Sequence, residues 1–318
     1  MKKLYVRPPF DEWALQDEIL KTFPEILEDL PTPEKLIEIQ KSHSVDHATM
    51  ALMVSIRRGA KFSKFVEEID EQEFSTTDAP SDVQFVLVPA MFYSDYPEVG
   101  AGGEHIAEIA RRTGFKVDRL ETGSKAGVVD NAKVLKKWIS EQTAPRLGII
   151  SMSKGSLEFR YAWNFLLTSE EKSKIKVWLN LGGFPVGNSL ANHYLSSFKG
   201  RCKAQLILWA SGLSREALVE TASHFEAWKT PWALPSTVKV MNFVPIPLSS
   251  HVQSSLVGRY LALSKYGPND GMTDCRGAIY LPGEVYPVWG ADHYCRTPEI
   301  IPVLYRMFSY VKDRFESF

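Results

Sequence analysis

The chain has 318 residues, with 37 Lys plus Arg against 38 Asp plus Glu and a net charge of −1. A nucleic-acid binder carries a basic excess or basic runs, so that class is set aside. Hydrophobic residues make up 44% and charged residues 24%, which is the balance of a folded globular chain rather than a disordered, collagenous or coiled-coil one, at a length that supports a large α/β core.

The N-terminal quarter, residues 1 to about 75, is helical in pattern and shows no strand signal. Pro24, Pro31 and Pro33 punctuate short amphipathic pieces, and Asp46 to Ile56 (DHATMALMVSI) is apolar on most sides, which predicts a buried helix. His43 and His47 are four residues apart, a spacing that puts two ligands on one helical face. Without the glutamate of HExxH or a third ligand, the pair reads as part of a helix cap. The run TTDAPSD, Thr76 to Asp82, marks a boundary. Residues 1–78 are therefore expected to form a helical extension and residues 79–318 the main domain.

From Val83 the pattern alternates between strand and helix. Val83 to Val88 (VQFVLV) is a continuous apolar run, the mark of a strand buried on both faces. Further strands are predicted at Lys116–Leu120, Leu147–Ser151, Lys176–Leu181, Thr237–Phe243 and Val285–Val288. Helices fall between them at Glu104–Arg112, Val128–Ile139 and Ser156–Leu167. The glycines at 100–103 (GAGG) lack the lysine of a phosphate loop and read as a turn before a helix. Alternating strands and helices imply a mostly parallel sheet covered on both faces. Ser189 to Pro235 breaks the alternation. It is helical, rich in aromatic residues and too long for an ordinary loop, so it is expected to be an insertion lying over the sheet.

The sharpest chemical signal is Ser151-Met152-Ser153-Lys154-Gly155, directly after a buried strand and opening a helix. So tight a turn strains its middle residue and admits only small residues two positions to either side. Ser153 is then held clear of the sheet with its hydroxyl exposed over a helix N-terminus, an end that favours negative charge. The bland alternative is an ordinary turn capped by serine. A serine nucleophile needs a base, and the base an orienting acid. On a sheet of this kind the chain order is serine, acid, histidine. His293, in VWGADH, is the last histidine, and Asn269-Asp270-Gly271 upstream is a turn that would expose Asp270. Asp274 and Asp292 are rival acids. Two backbone N–H groups should bind an oxyanion: that of Lys154, and one from the loop after the first strong strand, for which Met91 is the candidate. The Lys154 side chain has two readings, pairing with an acidic group near the site or, as expected of a lysine, solvation.

From about residue 80 to 300 these motifs together resemble an α/β-hydrolase of the lipase and esterase type. VPAMF resembles the oxyanion loop, with Ala90 where glycine is usual. SMSKG resembles the nucleophile elbow, with Ser151 where glycine is usual. LNLGGFPVGNSLAN resembles the lipase segment after the sixth strand, with Phe184 and Val186 flanking Pro185 where a histidine is usual, and NDG followed by GADH resembles the acid and histidine loops. The resemblance implies an α/β-hydrolase fold with a sheet of about eight strands and the Ser189–Pro235 insertion placed as a lid. It implies hydrolysis of a carboxylic ester or thioester by Ser153, Asp270 and His293, with a small-molecule ester or lipid-like substrate. Phe92, Tyr93 and Phe184 are candidates to line the substrate pocket. No metal or organic cofactor is called for. The alternative is a non-catalytic binding protein on the same scaffold.

No apolar run reaches the roughly 18 to 20 residues of a spanning helix. The opening MKKLYVRPPFDEWALQDE has charge but no apolar core of a signal peptide. Three cysteines, Cys202, Cys275 and Cys295, do not make a disulfide framework. A cytoplasmic protein with unpaired thiols is the expectation.

Overall fold

The computed structural model describes residues 9–75, 78–196, 198–281, 283–295, 297 and 300–318. The boundary read at Thr76 to Asp82 falls partly outside them. The N-terminal region contributes α1 (Pro9–Thr22), α2 (Pro33–Ser42), α3 (Val45–Arg58) and α4 (Ser63–Asp70). Their starts are set by local chemistry. Thr32 caps α2 ahead of Pro33, and Ser44 caps α3 by accepting the His47 N–H, each satisfying a donor that the first helical turn leaves unpaired. The predicted buried helix is α3, with Asp46 and the stretch from Ala48 to Ile56 buried.

Six strands follow: β1 (Val83–Val88), β2 (Lys116–Arg119), β3 (Arg146–Met152), β4 (Ile175–Leu181), β5 (Lys239–Ile246) and β6 (Glu284–Trp289). They pair in parallel in the order β2-β1-β3-β4-β5-β6. The connecting helices are α5 (Glu104–Arg112), α6 (Val128–Glu141), α7 (Gly155–Tyr161), α8 (Ser169–Lys174), α9 (Ser189–Ser196), α10 (Phe198–Ser211), α11 (Arg215–Thr221), α12 (Val257–Leu263), α13 (Arg276–Ile279) and the closing α14 (Ile300–Arg314). A π-helical turn, Ala162–Leu166, extends α7.

The sheet is smaller than the expected eight strands. The six segments read as strands are the ones that form among the described residues, and the chain ahead of Val83 is helical there. Strand periodicity sorts the core into two layers. Phe85, Leu87, Val177, Leu179, Met241 and Phe243 meet α3, α4, α5 and α14 on one face. Val86, Val88, Ile149, Trp178 and Val240 meet α6 and α7 on the other. Alternate side chains of a strand point to opposite faces, so a continuous apolar run fills both layers.

The N-terminal helices close one end of the sheet. α3 and α4 pack against β6, with Leu52, Met53 and Ile56 in the same cluster as Val285 and Val288, and the Tyr286 hydroxyl donates to Asp70 at 2.7 Å. The segment after β5 is gripped from the same side. Asp46 accepts from the Ser249 N–H at 2.7 Å and its hydroxyl at 2.8 Å, and Glu12 lies 2.8 Å from the His251 imidazole and accepts from the Trp289 indole at 2.9 Å.

Candidate active site

Ser153 sits between β3 and α7 with φ of +48°, a left-handed conformation rare outside glycine and held only where surrounding structure enforces it. The enforcement is visible on both sides. Its N–H donates to the Leu181 carbonyl at 3.2 Å, and its own carbonyl accepts from the Ser156 hydroxyl at 2.8 Å. Gly155 is required by crowding: a Cβ there would lie 2.7 Å from the Val88 carbonyl oxygen. Ser151, where the resemblance has glycine, occupies space that a side chain can use. Its hydroxyl accepts from the Trp178 indole at 2.8 Å and lies 3.4 Å from Asn180 Oδ1. Asn180 continues this buried polar row to Asn242 at 2.9 Å.

Ser153 Oγ is 2.9 Å from His293 Nε2, and His293 Nδ1 is 2.7 Å from Asp270 Oδ2. The expectation that Asp270 would be exposed is corrected: it is 1% exposed. The NDG turn folds inward because its carboxylate is saturated locally. Oδ1 accepts the Met272 and Thr273 N–H groups at 2.8 and 2.7 Å, and Oδ2 accepts the Thr273 hydroxyl at 3.0 Å as well as facing the imidazole. The backbone adds a further tie, from the His293 N–H to the Asp270 carbonyl at 2.9 Å.

The rival acids have other partners. Asp274 bonds the Ser189 hydroxyl at the start of the insertion. Asp292 accepts from the Gln253 and Tyr294 N–H groups at 3.0 and 3.1 Å and shapes the loop that carries His293. Burial pushes the pKa of Asp292 up. Burial alone would push the His293 pKa down, but the charge and hydrogen bond of Asp270, with a lesser contribution from Asp292, leave it above the ordinary histidine value. Cys295, two residues on, is pushed up to about 12 by burial and by the Asp270 and Asp292 charges, so its thiol stays protonated. No described cysteine forms a disulfide, and Cys275 donates to the Pro245 carbonyl.

In the loop after β1, the Ala90 N–H is taken by the Ala101 carbonyl and the Phe92 N–H by that of Ser124, both at 2.9 Å. The Met91 and Lys154 N–H groups make no hydrogen bond among the described residues. Phe92 has φ of +62°. Met91 and Phe92 pack against Leu208, Leu213 and Ala217 of α10, α11 and the turn between them, so α10 and α11 lie on the loop at the carboxyl edge of the sheet. Tyr93 is buried, donates to the Thr122 carbonyl at 2.6 Å and carries the Arg119 guanidinium over its ring. Phe184 is buried among Val128, Leu157 and Trp228, its N–H on the Ser156 hydroxyl.

Two buried cations on one helix depart from or add to the sequence expectations. Lys154 is not solvated: it is 2% exposed and pairs with Glu158, itself 0% exposed. The i,i+4 spacing in SKGSLE was the available signal. Arg160, on the same helix, is also buried, donates to the Pro185, Trp228 and Thr230 carbonyls and lies between the Trp228 and Trp232 rings. It thereby ties the segment after β4 to the segment ahead of β5.

By sequence, no family model and no curated protein matches the chain. By structure it is similar to a metagenomic carboxyl esterase, with a TM-score of 0.60 at 17% identity over 78% of this chain and 80% of that one. It is also similar to the mature form of a Bacillus licheniformis lipase, with a TM-score of 0.54 at 18% identity over 73% and 94%. At these identities the likeness is one of fold, and the fold is that of an α/β-hydrolase. Among the described residues no helix is long and apolar enough to cross a membrane.

Proposed function

We propose that the chain, which has the α/β-hydrolase fold, is a serine hydrolase of carboxylic esters or thioesters. The observation that carries this reading is the unbroken contact from Ser153 Oγ to His293 Nε2 at 2.9 Å and from His293 Nδ1 to Asp270 at 2.7 Å. Ser153 Oγ attacks the substrate carbonyl carbon as His293 Nε2 takes its proton. Asp270 holds the tautomer with Nδ1–H toward itself and stabilises the imidazolium. The carbonyl π electrons move to oxygen, and the unpaired Met91 and Lys154 N–H groups are the donors for that oxyanion. His293 returns the proton to the leaving oxygen or sulfur as its bond to carbon breaks, giving an acyl-Ser153 ester. Water then repeats the sequence and frees the acid.

In this reading residues 79–318 form the hydrolase unit and residues 1–78 a helical extension. The insertion at 189–235, seated on Met91 and Phe92, is the wall of an apolar acyl pocket. The similarity in fold to a carboxyl esterase and a lipase supports the ester class without choosing the acyl chain.

The test is hydrolysis of p-nitrophenyl esters of increasing chain length, with Ser153→Ala as control, together with labelling by a fluorophosphonate. Turnover and labelling that both vanish in Ser153→Ala are expected. A wild-type protein that neither turns over any ester nor labels would overturn the reading in favour of a non-catalytic binder.

A further inference from the structure

The residue after the nucleophile is split between two environments. The Lys154 N–H is a proposed oxyanion donor, while its side chain runs inward beneath the elbow. There Nζ donates to the Ala126 carbonyl at 3.0 Å and pairs with Glu158 Oε1. That oxygen also accepts from Asn131 Nδ2 at 2.8 Å. Asn131 grips Gly123 twice, accepting its N–H at 2.9 Å and donating to its carbonyl at 3.1 Å. The next residue, Ser124, receives the Phe92 N–H on its carbonyl, and its hydroxyl donates to Asp95 at 2.8 Å, where Lys125 also pairs. Phe92 adjoins Met91, the other proposed donor.

We propose that Glu158 is a positioning residue for the oxyanion hole: through Lys154 on one side and Asn131 and the 123–125 loop on the other, it fixes the spacing of two N–H donors carried on separate segments. This rests on the serine-hydrolase reading. Stability is a poor reason for the arrangement. A buried ion pair is often matched or bettered by apolar residues of similar volume, and among the described residues Glu158 Oε2 is buried without a hydrogen-bond partner, a cost that a purely structural pair would shed. The network instead joins β3–α7 to the loop after β1, the two segments that carry the proposed donors. Donors that act on a developing charge lose effect when displaced, even if both remain present.

The experiment compares wild type with Glu158→Gln and with the double variant Lys154→Met/Glu158→Leu, which removes both charges and keeps the Lys154 N–H. The readouts are kcat and KM on a short-chain p-nitrophenyl ester, the inhibition constant of a trifluoromethyl ketone of the same acyl length, and the melting temperature. Both variants are expected to lose about 10- to 100-fold in kcat, with KM within about threefold and ketone affinity falling in parallel with kcat. The double variant should melt at or above the wild-type temperature. A folded double variant with kcat within about twofold of wild type overturns the proposal. So does a loss confined to KM, a ketone affinity that does not follow kcat, or failure of both variants to fold, which would make the network structural. Ser153→Ala, assayed alongside, separates the layers. If it retains turnover, the serine-hydrolase reading itself falls. If it is inactive while both Glu158 variants behave as wild type, only the positioning role falls.

Discussion

Replacing Asp270 by asparagine keeps the shape of the side chain and changes only which atoms can donate. In the native site Oδ1 faces two backbone N–H groups and Oδ2 faces the imidazole and the Thr273 hydroxyl. The asparagine oxygen will take the two N–H groups, since the alternative sets an NH₂ against both of them. Its NH₂ then faces His293 Nδ1, which must become the acceptor. The ring proton moves to Nε2, the atom that has to accept from Ser153. Restoring the productive tautomer forfeits a hydrogen bond to a charged acceptor, about 1.5–3 kcal/mol, and leaves donor facing donor, about 1–3 kcal/mol more. The sum, about 2.5–6 kcal/mol, corresponds to a loss of roughly 10² to 10⁴ in kcat. Initial rates on a short-chain ester measure it, with Asp274→Asn and Asp292→Asn as comparators. Asp274→Asn should stay near wild type, because its carboxylate serves Ser189. Asp270→Asn within about tenfold of wild type would refute the tautomer argument, and a larger loss in Asp292→Asn would move the acid there.

Because the His293 pKa is raised, kcat/KM should fall as pH drops through a value above the ordinary histidine one of about 6.5, where the protonated ring can no longer accept from Ser153. The same raised value means the group's contribution to stability is fully present below the unfolded pKa and is lost as pH rises through the folded one. Melting temperature and kcat/KM measured across that window should therefore move in opposite directions. Gly155→Ala drives a Cβ to 2.7 Å from the Val88 carbonyl oxygen, and should cost about 1–3 kcal/mol by urea unfolding and lower kcat by parting the elbow from the loop after β1. Arg160→Leu strips three carbonyls of their donor and should cost about 3 kcal/mol or more. Arg160→Lys should recover only part of it, since a single ammonium cannot span the positions that a guanidinium fork reaches.

Strands such as β1 and β3 are legible because their apolar runs are continuous, the signature of a strand buried on two faces. Ser153 and His293 were legible because the elbow and the chain order leave few choices. The chain order singles out Asp270 but says nothing of its burial: an Asx turn looks alike in solvent and in the core until its donors, Met272 and Thr273, are seen folding over it. Lys154 was misread because a lysine's default is water, and the acid that holds it inside lies one helical turn away. What the N-terminal helices rest on could not be read at all. Asp46 meets Ser249 across 203 residues, and no local pattern encodes such a pairing.

A parallel sheet ends in two strands whose outer N–H and C=O groups are unpaired, and such edges recruit other chains. Here the two edges are treated differently. β2 is only four residues, Lys116-Val117-Asp118-Arg119, with Lys116 and Asp118 exposed, so a foreign strand would find a short template and charges on it. β6, Glu284-Val285-Tyr286-Pro287-Val288-Trp289, is apolar and buried, and Pro287 denies one hydrogen bond, as proline in an outer strand does. On the face of the sheet, α3 and α4 lie against this strand. Loss of those helices, by proteolysis or truncation, would uncover apolar residues of β6 together with its unpaired backbone, and the first consequence to look for is precipitation.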